Sequence, residues 1–235
     1  MQQPFFSISV ILPVYNEGEN IVDTVARASS FLNSQPVVFD TYEIIVVDDG
    51  SVDETPAILH ALCQRYPNLK TLRHNKNLGY GAALVSGIKQ AVSEWVLLMD
   101  ADGQFKIDAL RDMIPYLDHY DILAGFRAKR TDPLYRIVLG RTYSRLATLL
   151  FKLDLVDINC GFKLFRRNSI NVETLNAHGG VFYTDFFIRA RDQGCRIKQL
   201  PVAHFPRKKG KQTGASIKVV FAAVVDIVRL LSGRE

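Results

Sequence analysis

The stretch WVLLMDADGQ, residues 95–104, decides the fold class. Its first five residues are apolar, which is typical of a strand buried on both faces, and Asp100 and Asp102 follow directly. Carboxylate oxygens are ligands that Mg²⁺ and Mn²⁺ prefer, and Mg²⁺ usually takes one or two protein carboxylates beside substrate phosphates. The stretch therefore predicts either a metal site at a strand end or an Asx turn that caps a helix at Ile107.

Two earlier apolar runs end in similar polar clusters. Ser7–Leu12 is followed by PVYNE, residues 13–17, and Tyr42–Val47 is followed by DDGS, residues 48–51. A nucleobase can stack on Tyr15, and an aspartate of the second cluster can accept a hydrogen bond from a nucleobase or a ribose hydroxyl. For both clusters, ordinary turn or capping chemistry is the alternative interpretation.

Short strands alternate with helical patterns along the first half of the chain. Helices are predicted over residues 19–32, 55–66, 81–92 and 107–117, and further strands over 69–73, 95–99 and 121–124. This alternation favours an α/β fold with a mostly parallel sheet and helices on both faces. Ligands bind such sheets at the carboxyl ends of the strands, so the three polar clusters are expected at one edge.

The composition supports one soluble domain. The chain has 235 residues, of which 48% are hydrophobic and 23% charged, so a large core can form and disorder is excluded. No apolar run reaches the roughly 18 residues that a membrane span needs, and no signal peptide is evident. The three cysteines fit neither a disulfide framework nor a zinc pattern, so a cytoplasmic location is expected.

Charge is divided unevenly between the two halves. Residues 1–124 contain 8 Lys/Arg and 16 Asp/Glu, whereas residues 125–235 contain 21 and 8, which predicts an anionic partner for the second half. Residues 136–152 form a helical pattern with one basic stripe among apolar side chains. Such a helix either lies in a membrane interface or packs on the core with a solvated basic face. A second amphipathic pattern covers residues 216–231, and its docking surface stays open.

Taken together, these clusters resemble inverting family 2 glycosyltransferases of the GT-A fold. The polyprenyl-phosphate group is the most similar, namely dolichol-phosphate mannose or glucose synthases and undecaprenyl-phosphate glycosyltransferases. The resemblance rests on residues 10–17, 46–51, 77–79, 99–104, 125–127 and 157–163. It implies a Rossmann-like GT-A domain over residues 1–215, with a mixed, mostly parallel sheet, followed by a C-terminal amphipathic helix over residues 216–235.

The resemblance also implies roles for individual residues. The nucleotide sugar would be held by Pro13, Tyr15, Glu17, Asp48, Asp49, Gly79, Asp100, Ala101 and Arg207. The metal region, for Mg²⁺ or Mn²⁺, would comprise Asp100, Asp102 and Gln104. The acceptor phosphate would be bound by Arg127, Arg136 and Arg141. Asp102 and Arg127 would act in catalysis, together with Asp157, which would serve as a base if the acceptor were a hydroxyl.

The implied activity is metal-dependent sugar transfer, with inversion, from a UDP- or GDP-linked sugar to a polyprenyl monophosphate. One alternative is transfer to the hydroxyl of a soluble glycan. Another is a non-catalytic protein that binds nucleotide sugars or nucleic acid, although the acidic clusters disfavour a nucleic-acid partner. A peripheral position at the cytoplasmic membrane face, or a membrane protein partner, is expected. The sugar, the prenyl length and the oligomeric state, including a homo-oligomer, stay open.

Overall fold

The computed structural model describes residues 6–175, 181–207 and 209. These residues form one seven-stranded sheet in the order β3-β2-β1-β4-β6-β5-β7. The strands are β1 (Phe6–Val14), β2 (Phe39–Asp48), β3 (Leu69–Arg73), β4 (Trp95–Met99), β5 (Ile122–Arg127), β6 (Phe162–Arg166) and β7 (Ile197–Val202). The α-helices are α1 (Gly18–Asn33), α2 (Thr55–Arg65), α3 (Tyr80–Gln90), α4 (Leu134–Phe151) and α5 (Phe182–Asp192).

The mixed, mostly parallel sheet predicted from the sequence is confirmed. β1 pairs in parallel with β2 and β4, β2 with β3, and β5 with β7, whereas β6 runs antiparallel to β4 and β5. Because β1, β2 and β4 run in the same direction, the polar clusters that follow them lie at one edge of the sheet. We call this edge, with Glu17, Asp100 and Asp102, the acidic edge.

Helices cover both faces of the sheet, as the alternating pattern predicts. Val10 and Leu12 of β1 face one apolar cluster, which includes residues of α1 and α2. Ile11 faces the other cluster, which includes residues of α3, α4 and α5. This alternation follows from the two-residue period of a strand, and it buries β1 completely between two helical layers.

Two predicted elements differ from the observed ones. Residues 107–117 form two short 3₁₀ segments, Ile107–Asp112 and Ile114–Tyr116, instead of one α-helix. Pro115 lacks an N–H and its ring obstructs the preceding turn, so an α-helix does not continue through it. β5 extends three residues beyond the predicted strand, to Arg127, because it pairs with β7 up to Val202.

Helix α4 exposes its apolar side chains. Its buried residues are Ser144, Ala147 and Phe151. Its exposed large apolar residues are Leu134, Tyr135, Val138, Leu139, Leu146, Leu149 and Leu150. Of the two interpretations of residues 136–152, this pattern favours the interfacial helix. No helix in the described ranges combines the length and hydropathy needed to cross a bilayer. The predicted C-terminal helix and its boundary at residue 216 lie outside the described residues.

Candidate functional site

The carboxylate of Asp100 is fixed from two sides at the end of β4. Its Oδ1 accepts a hydrogen bond of 2.6 Å from the hydroxyl of Tyr80. Its backbone N–H donates to the carbonyl of Gly161 at 3.1 Å. A Cβ atom at Gly161 would lie 1.9 Å from Asp100 Oδ2, so only a glycine leaves room for this carboxylate. Asp100 is therefore held between the start of α3 and the loop before β6.

Asp102, Glu17 and Arg207 are brought together at the same edge. Arg207 Nη2 lies 2.5 Å from Glu17 Oε1, and Arg207 Nη1 lies 3.4 Å from Asp102 Oδ2. Gln104 supports this arrangement, because its backbone N–H donates to Asp102 Oδ1 and its side chain donates to the carbonyl of Phe205. The guanidinium of Arg207 therefore bridges a predicted nucleoside-binding carboxylate and a predicted metal ligand.

The acidic edge brings together carboxylates whose ionisation a divalent cation would favour. Burial raises the pKa of Asp100 to about 7, and the neighbouring charge of Asp102 adds to the effect. Burial likewise raises the pKa of Asp102. No group of three His, Cys, Asp or Glu side chains within the described residues could hold a metal ion. Mg²⁺ and Mn²⁺ need only one or two carboxylates when substrate phosphates complete their coordination, so Asp100 and Asp102 fit such an ion.

Asp49 orders the loop that leads into α3. Its two carboxylate oxygens accept hydrogen bonds of 2.8 Å from the backbone N–H groups of Leu78 and Gly79. His74 Nδ1 lies 2.7 Å from Asp49 Oδ1, and its Nε2 lies 2.9 Å from the hydroxyl of Ser86. Gly79 has a φ of +98°, a conformation that favours glycine. Asp49 thus joins the ends of β2 and β3 to the start of α3.

Four residues predicted to hold the donor are buried, and one of them is Asp49, which is 3% exposed. Asp48 is only 1% exposed, accepts from the Ser51 N–H and pairs with Arg73, so it stabilises the turn after β2. Pro13 lies inside β1, and Ala101 is buried beside α1. Tyr15, by contrast, is 41% exposed directly after β1.

Arg127 and Asp157 form a bidentate ion pair. Arg127 Nε and Nη2 donate to Asp157 Oδ2 and Oδ1 at 2.7 and 2.8 Å. Burial by itself would raise the pKa of Asp157, but the hydrogen bonds and the charge of Arg127 outweigh it and lower the pKa to about 2. Such a carboxylate is a weak base near neutral pH, so its geometry suits the anchoring of Arg127 better than proton abstraction.

Several residues of the site were not identified from the sequence. Lys163 is fully buried, and its Nζ donates to the carbonyls of Gly125 and Asp157 at 2.8 and 3.4 Å. Burial lowers its pKa. A lysine in the apolar run FKLFR, residues 162–166, is a signal that could have revealed it. His74 and Tyr80 carried no such signal, because they lie in a loop with two glycines, which indicates only a turn. Tyr183 lies on α5, far from this loop in sequence, and its contact with Tyr80 depends on the packing of that helix.

Arg136 and Arg141 lie on α4 but point in different directions. Five residues correspond to about 140° around an α-helix, so the two side chains do not share a face. Arg136 is half-buried in the first turn of α4, with its Nε 3.2 Å from the hydroxyl of Tyr135, whereas Arg141 is exposed. Of the two, Arg136 is the better placed for a ligand held against the domain.

Comparisons with known proteins identify the family of this chain. The family model described as Glycosyl transferase family 2 matches residues 9–172. A dolichyl-phosphate beta-glucosyltransferase, ALG5A, from Trichomonas vaginalis is 34% identical over 210 residues, which cover 83% of this chain and 64% of that protein. An undecaprenyl-phosphate 4-deoxy-4-formamido-L-arabinose transferase from Pectobacterium carotovorum is 26% identical over 216 residues, covering 91% and 64%. The chain thus spans less than two thirds of the length of these relatives.

Solved structures show the same fold. Glucosyl-3-phosphoglycerate synthase from Mycobacterium tuberculosis, in complex with Mn²⁺, UDP-glucose and phosphoglyceric acid, superposes with a TM-score of 0.70. The match covers 97% of this chain and 79% of that one, at 19% sequence identity. At this identity the likeness establishes the architecture, which is the predicted GT-A arrangement.

Proposed function

Because the chain belongs to glycosyl transferase family 2, we propose that it transfers a sugar from a nucleotide-diphosphate sugar to a polyprenyl monophosphate. The observation that carries this proposal is a cluster of carboxylates next to an arginine that is fixed by an ion pair. Asp100 and Asp102 form an acidic edge, while Arg127 is fixed by Asp157 beside it. The names of the relatives, which act on dolichyl and undecaprenyl phosphate, support the acceptor class.

On the donor side, the nucleoside lies at the ends of β1 and β2. The exposed ring of Tyr15 stacks on the base. Asp49 is 3% exposed, and its Oδ2, which already accepts one hydrogen bond from the Gly79 N–H, would accept a second from a nucleobase or a ribose hydroxyl that reaches it. Asp102, with Asp100, would hold Mg²⁺ or Mn²⁺, and the ion would supply positive charge to neutralise the departing diphosphate. Arg207 leaves Glu17 and binds the same phosphates bidentately.

On the acceptor side, the low pKa of Asp157 fits a phosphate acceptor better than a hydroxyl acceptor. A hydroxyl acceptor needs a base, and the low pKa of Asp157, about 2, makes it a poor one. A phosphate monoester is already anionic at neutral pH, so its oxygen attacks the sugar without a base. Arg127, held by Asp157, and Arg136 orient that phosphate, and positioning then supplies a large part of the rate. Attack on the face of the anomeric carbon opposite the departing diphosphate inverts the configuration at that carbon.

The acceptor lipid also requires contact with a membrane. The exposed apolar residues of α4, among them Leu146 and Leu149, lie on the same helix as the exposed Arg141 and Arg145. Apolar side chains flanked by arginines suit the boundary between acyl chains and anionic headgroups. We therefore place the protein at the cytoplasmic membrane face, bound peripherally through α4 or through a membrane protein partner.

One assay tests the proposed activity. The protein is incubated with Mn²⁺ or Mg²⁺ and a panel of UDP- and GDP-linked sugars, with or without a polyprenyl phosphate, and products are read by mass spectrometry. We expect nucleotide release that the polyprenyl phosphate accelerates, together with a glycosylated lipid phosphate. Transfer to an added soluble glycan instead would favour the hydroxyl-acceptor alternative. Nucleotide binding without turnover under every condition would favour a non-catalytic binding protein.

A further inference from the structure

The first residue of α3 touches the acidic edge directly. Tyr80 follows Gly79, whose N–H is bound by Asp49, and the hydroxyl of Tyr80 donates to Asp100 Oδ1 at 2.6 Å. The loop that Asp49 orders therefore delivers a phenol to the carboxylate at the end of β4. The ring of Tyr80 is 41% exposed, so it contributes little to the core, and its hydroxyl makes the contact with Asp100.

A second tyrosine stands behind the first. The hydroxyls of Tyr183 and Tyr80 are 2.9 Å apart, and the two rings lie 6.1 Å apart at 58°. A tyrosine hydroxyl has one hydrogen and can therefore donate only one hydrogen bond. Since that of Tyr80 is directed to Asp100, Tyr183 donates to the Tyr80 oxygen. Such a chain polarises each hydroxyl and strengthens the final hydrogen bond to the carboxylate. Tyr183 is only 3% exposed on α5, so its own position is fixed by packing.

The opposite side of Asp100 is closed by backbone. The missing side chain of Gly161 leaves the space that Asp100 Oδ2 occupies, and the Gly161 carbonyl accepts the Asp100 N–H. The Asp100 carboxylate thus has the Tyr80 hydroxyl as a donor on one side and the Gly161 backbone on the other. The charge of Asp102 repels the Asp100 carboxylate. Without these contacts, this repulsion would turn the Asp100 side chain away from Asp102.

We propose that Tyr80, backed by Tyr183, is a positioning residue that holds Asp100 in the orientation used to bind the nucleotide diphosphate and its cation. This inference rests on the proposed function and adds residues that the sequence motifs do not contain. It links the two ends of the donor site physically, because the loop bound by Asp49 also sets the orientation of Asp100. Without the Tyr80 hydroxyl, the ligand itself must order Asp100, which lowers affinity.

Isothermal titration with UDP and with GDP, each in the presence of Mn²⁺, tests the proposal without any acceptor. For the nucleotide that the wild-type protein binds, Tyr80→Phe is expected to lower the affinity about tenfold, since hydrogen bonds to charged groups are worth this much. Tyr183→Phe is expected to lower it about threefold, because it acts through Tyr80. The melting temperatures of both variants should stay close to that of the wild type, since both rings remain.

Two further variants separate positioning from general damage. Tyr42→Phe removes a hydroxyl that bonds Asn33 and Ser29 near the amino end of β2, and it should leave nucleotide affinity unchanged. Gly161→Ala forces Asp100 from the other side and should lower the affinity at least as much as Tyr80→Phe.

The outcomes distinguish the two proposals. Wild-type affinity in Tyr80→Phe, or an equal loss in Tyr42→Phe, would overturn the positioning role and leave the proposed function intact. Failure of the wild-type protein to bind either nucleotide with Mn²⁺ would overturn the proposed function, and the positioning role with it. A folded Gly161→Ala protein with unchanged affinity would likewise contradict the clamp around Asp100.

Discussion

Asp102 and Asp157 are both largely buried aspartates, one beyond β4 and the other before β6, but their surroundings shift their pKa values in opposite directions. Burial raises the pKa of Asp102, and the charge of Glu17 adds to the effect, although the Gln104 N–H and the charge of Arg207 offset part of it. The pKa of Asp157 falls to about 2, because Arg127 binds both of its oxygens and outweighs the effect of burial. At the acidic edge one guanidinium, that of Arg207, is shared between Glu17 and Asp102, whereas the Arg127–Asp157 pair is internally neutral.

This difference assigns the two carboxylates to different tasks. Titratable groups whose pKa values are pushed apart by their environments commonly mark distinct roles in one site. A carboxylate that is costly to ionise gains most from an arriving cation, which describes Asp102. A carboxylate already paired gains nothing from it and instead holds its arginine in place, which describes Asp157. The following variants test this division, beginning with the largest expected effect.

Asp102→Asn should abolish most of the metal-dependent turnover. The amide keeps the shape of the side chain but removes the charge that attracts the cation, so we expect a loss of about a thousandfold, equivalent to several kcal/mol of charge stabilisation. Nucleotide release from the donor sugar at saturating Mn²⁺ measures it. Asp108→Asn, an exposed aspartate six residues away, is the control and should keep full activity. Near-normal turnover in Asp102→Asn would remove the metal assignment.

Asp157→Asn should instead reduce stability. Removing one partner of a buried ion pair leaves the Arg127 charge uncompensated, so the free energy of unfolding should fall by about 3 kcal/mol near neutral pH. Urea unfolding followed by the fluorescence of Trp95, the single and buried tryptophan, measures this loss. Asp154→Asn, at an exposed position in the same loop, should unfold like the wild type.

The stability difference between wild type and Asp157→Asn should also depend on pH. Because the pKa of Asp157 is lowered to about 2 by folding, its ionised form stabilises the folded protein by about 2 kcal/mol at any pH well above its ordinary value near 4. The difference should therefore be constant between pH 8 and 5 and shrink as the pH falls from about 4 towards 2. A difference that instead grew on acidification would contradict the lowered pKa.

The sequence predicted the positions of strand-end residues better than their partners. β3 and β4 were predicted to the residue, and the convergence of Glu17 and Asp102 followed from parallel strands ending at one edge. The contacts between elements distant in the chain were not predictable in this way. The phenol of Tyr80 meets Asp100 only after α3 packs on the sheet, and no local pattern indicates that distance.

Two further features of the fold were not evident from the sequence pattern. Asp48 and Asp49 are adjacent acidic residues, and composition alone cannot tell which carboxylate the turn after β2 consumes. In the folded chain Asp48 is paired with Arg73, 25 residues later. Residues 107–117 were predicted as one helix because their apolar spacing is helical, but Pro115 limits them to 3₁₀ turns. In the first case a side-chain partner distant in sequence decided the outcome, and in the second a proline in the backbone did.

Arg136→Ala extends the comparison to the acceptor. If Arg136 binds the acceptor phosphate, its loss should raise the KM for a short-chain, water-soluble polyprenyl phosphate about tenfold, the value of a hydrogen bond to a charged group. Donor hydrolysis without acceptor should be unchanged, because the acidic edge is intact. Arg65→Ala removes the same charge from the exposed surface of α2 and serves as the control. An unchanged acceptor KM would remove Arg136 from the acceptor site.

Leu149→Ser tests whether α4 brings this acceptor side to the lipid. Leu149 is 77% exposed, and insertion of such a side chain into the interface is worth about 1 kcal/mol, roughly half of its full burial. Co-sedimentation with vesicles of phosphatidylcholine and phosphatidylglycerol should therefore weaken about fivefold, while turnover of the water-soluble acceptor stays unchanged. Val92→Ser is a matched control, since Val92 is 74% exposed but lies between α3 and β4. If both variants sediment like the wild type, α4 does not bind the membrane, and delivery of the lipid phosphate to Arg127 must depend on a membrane protein partner.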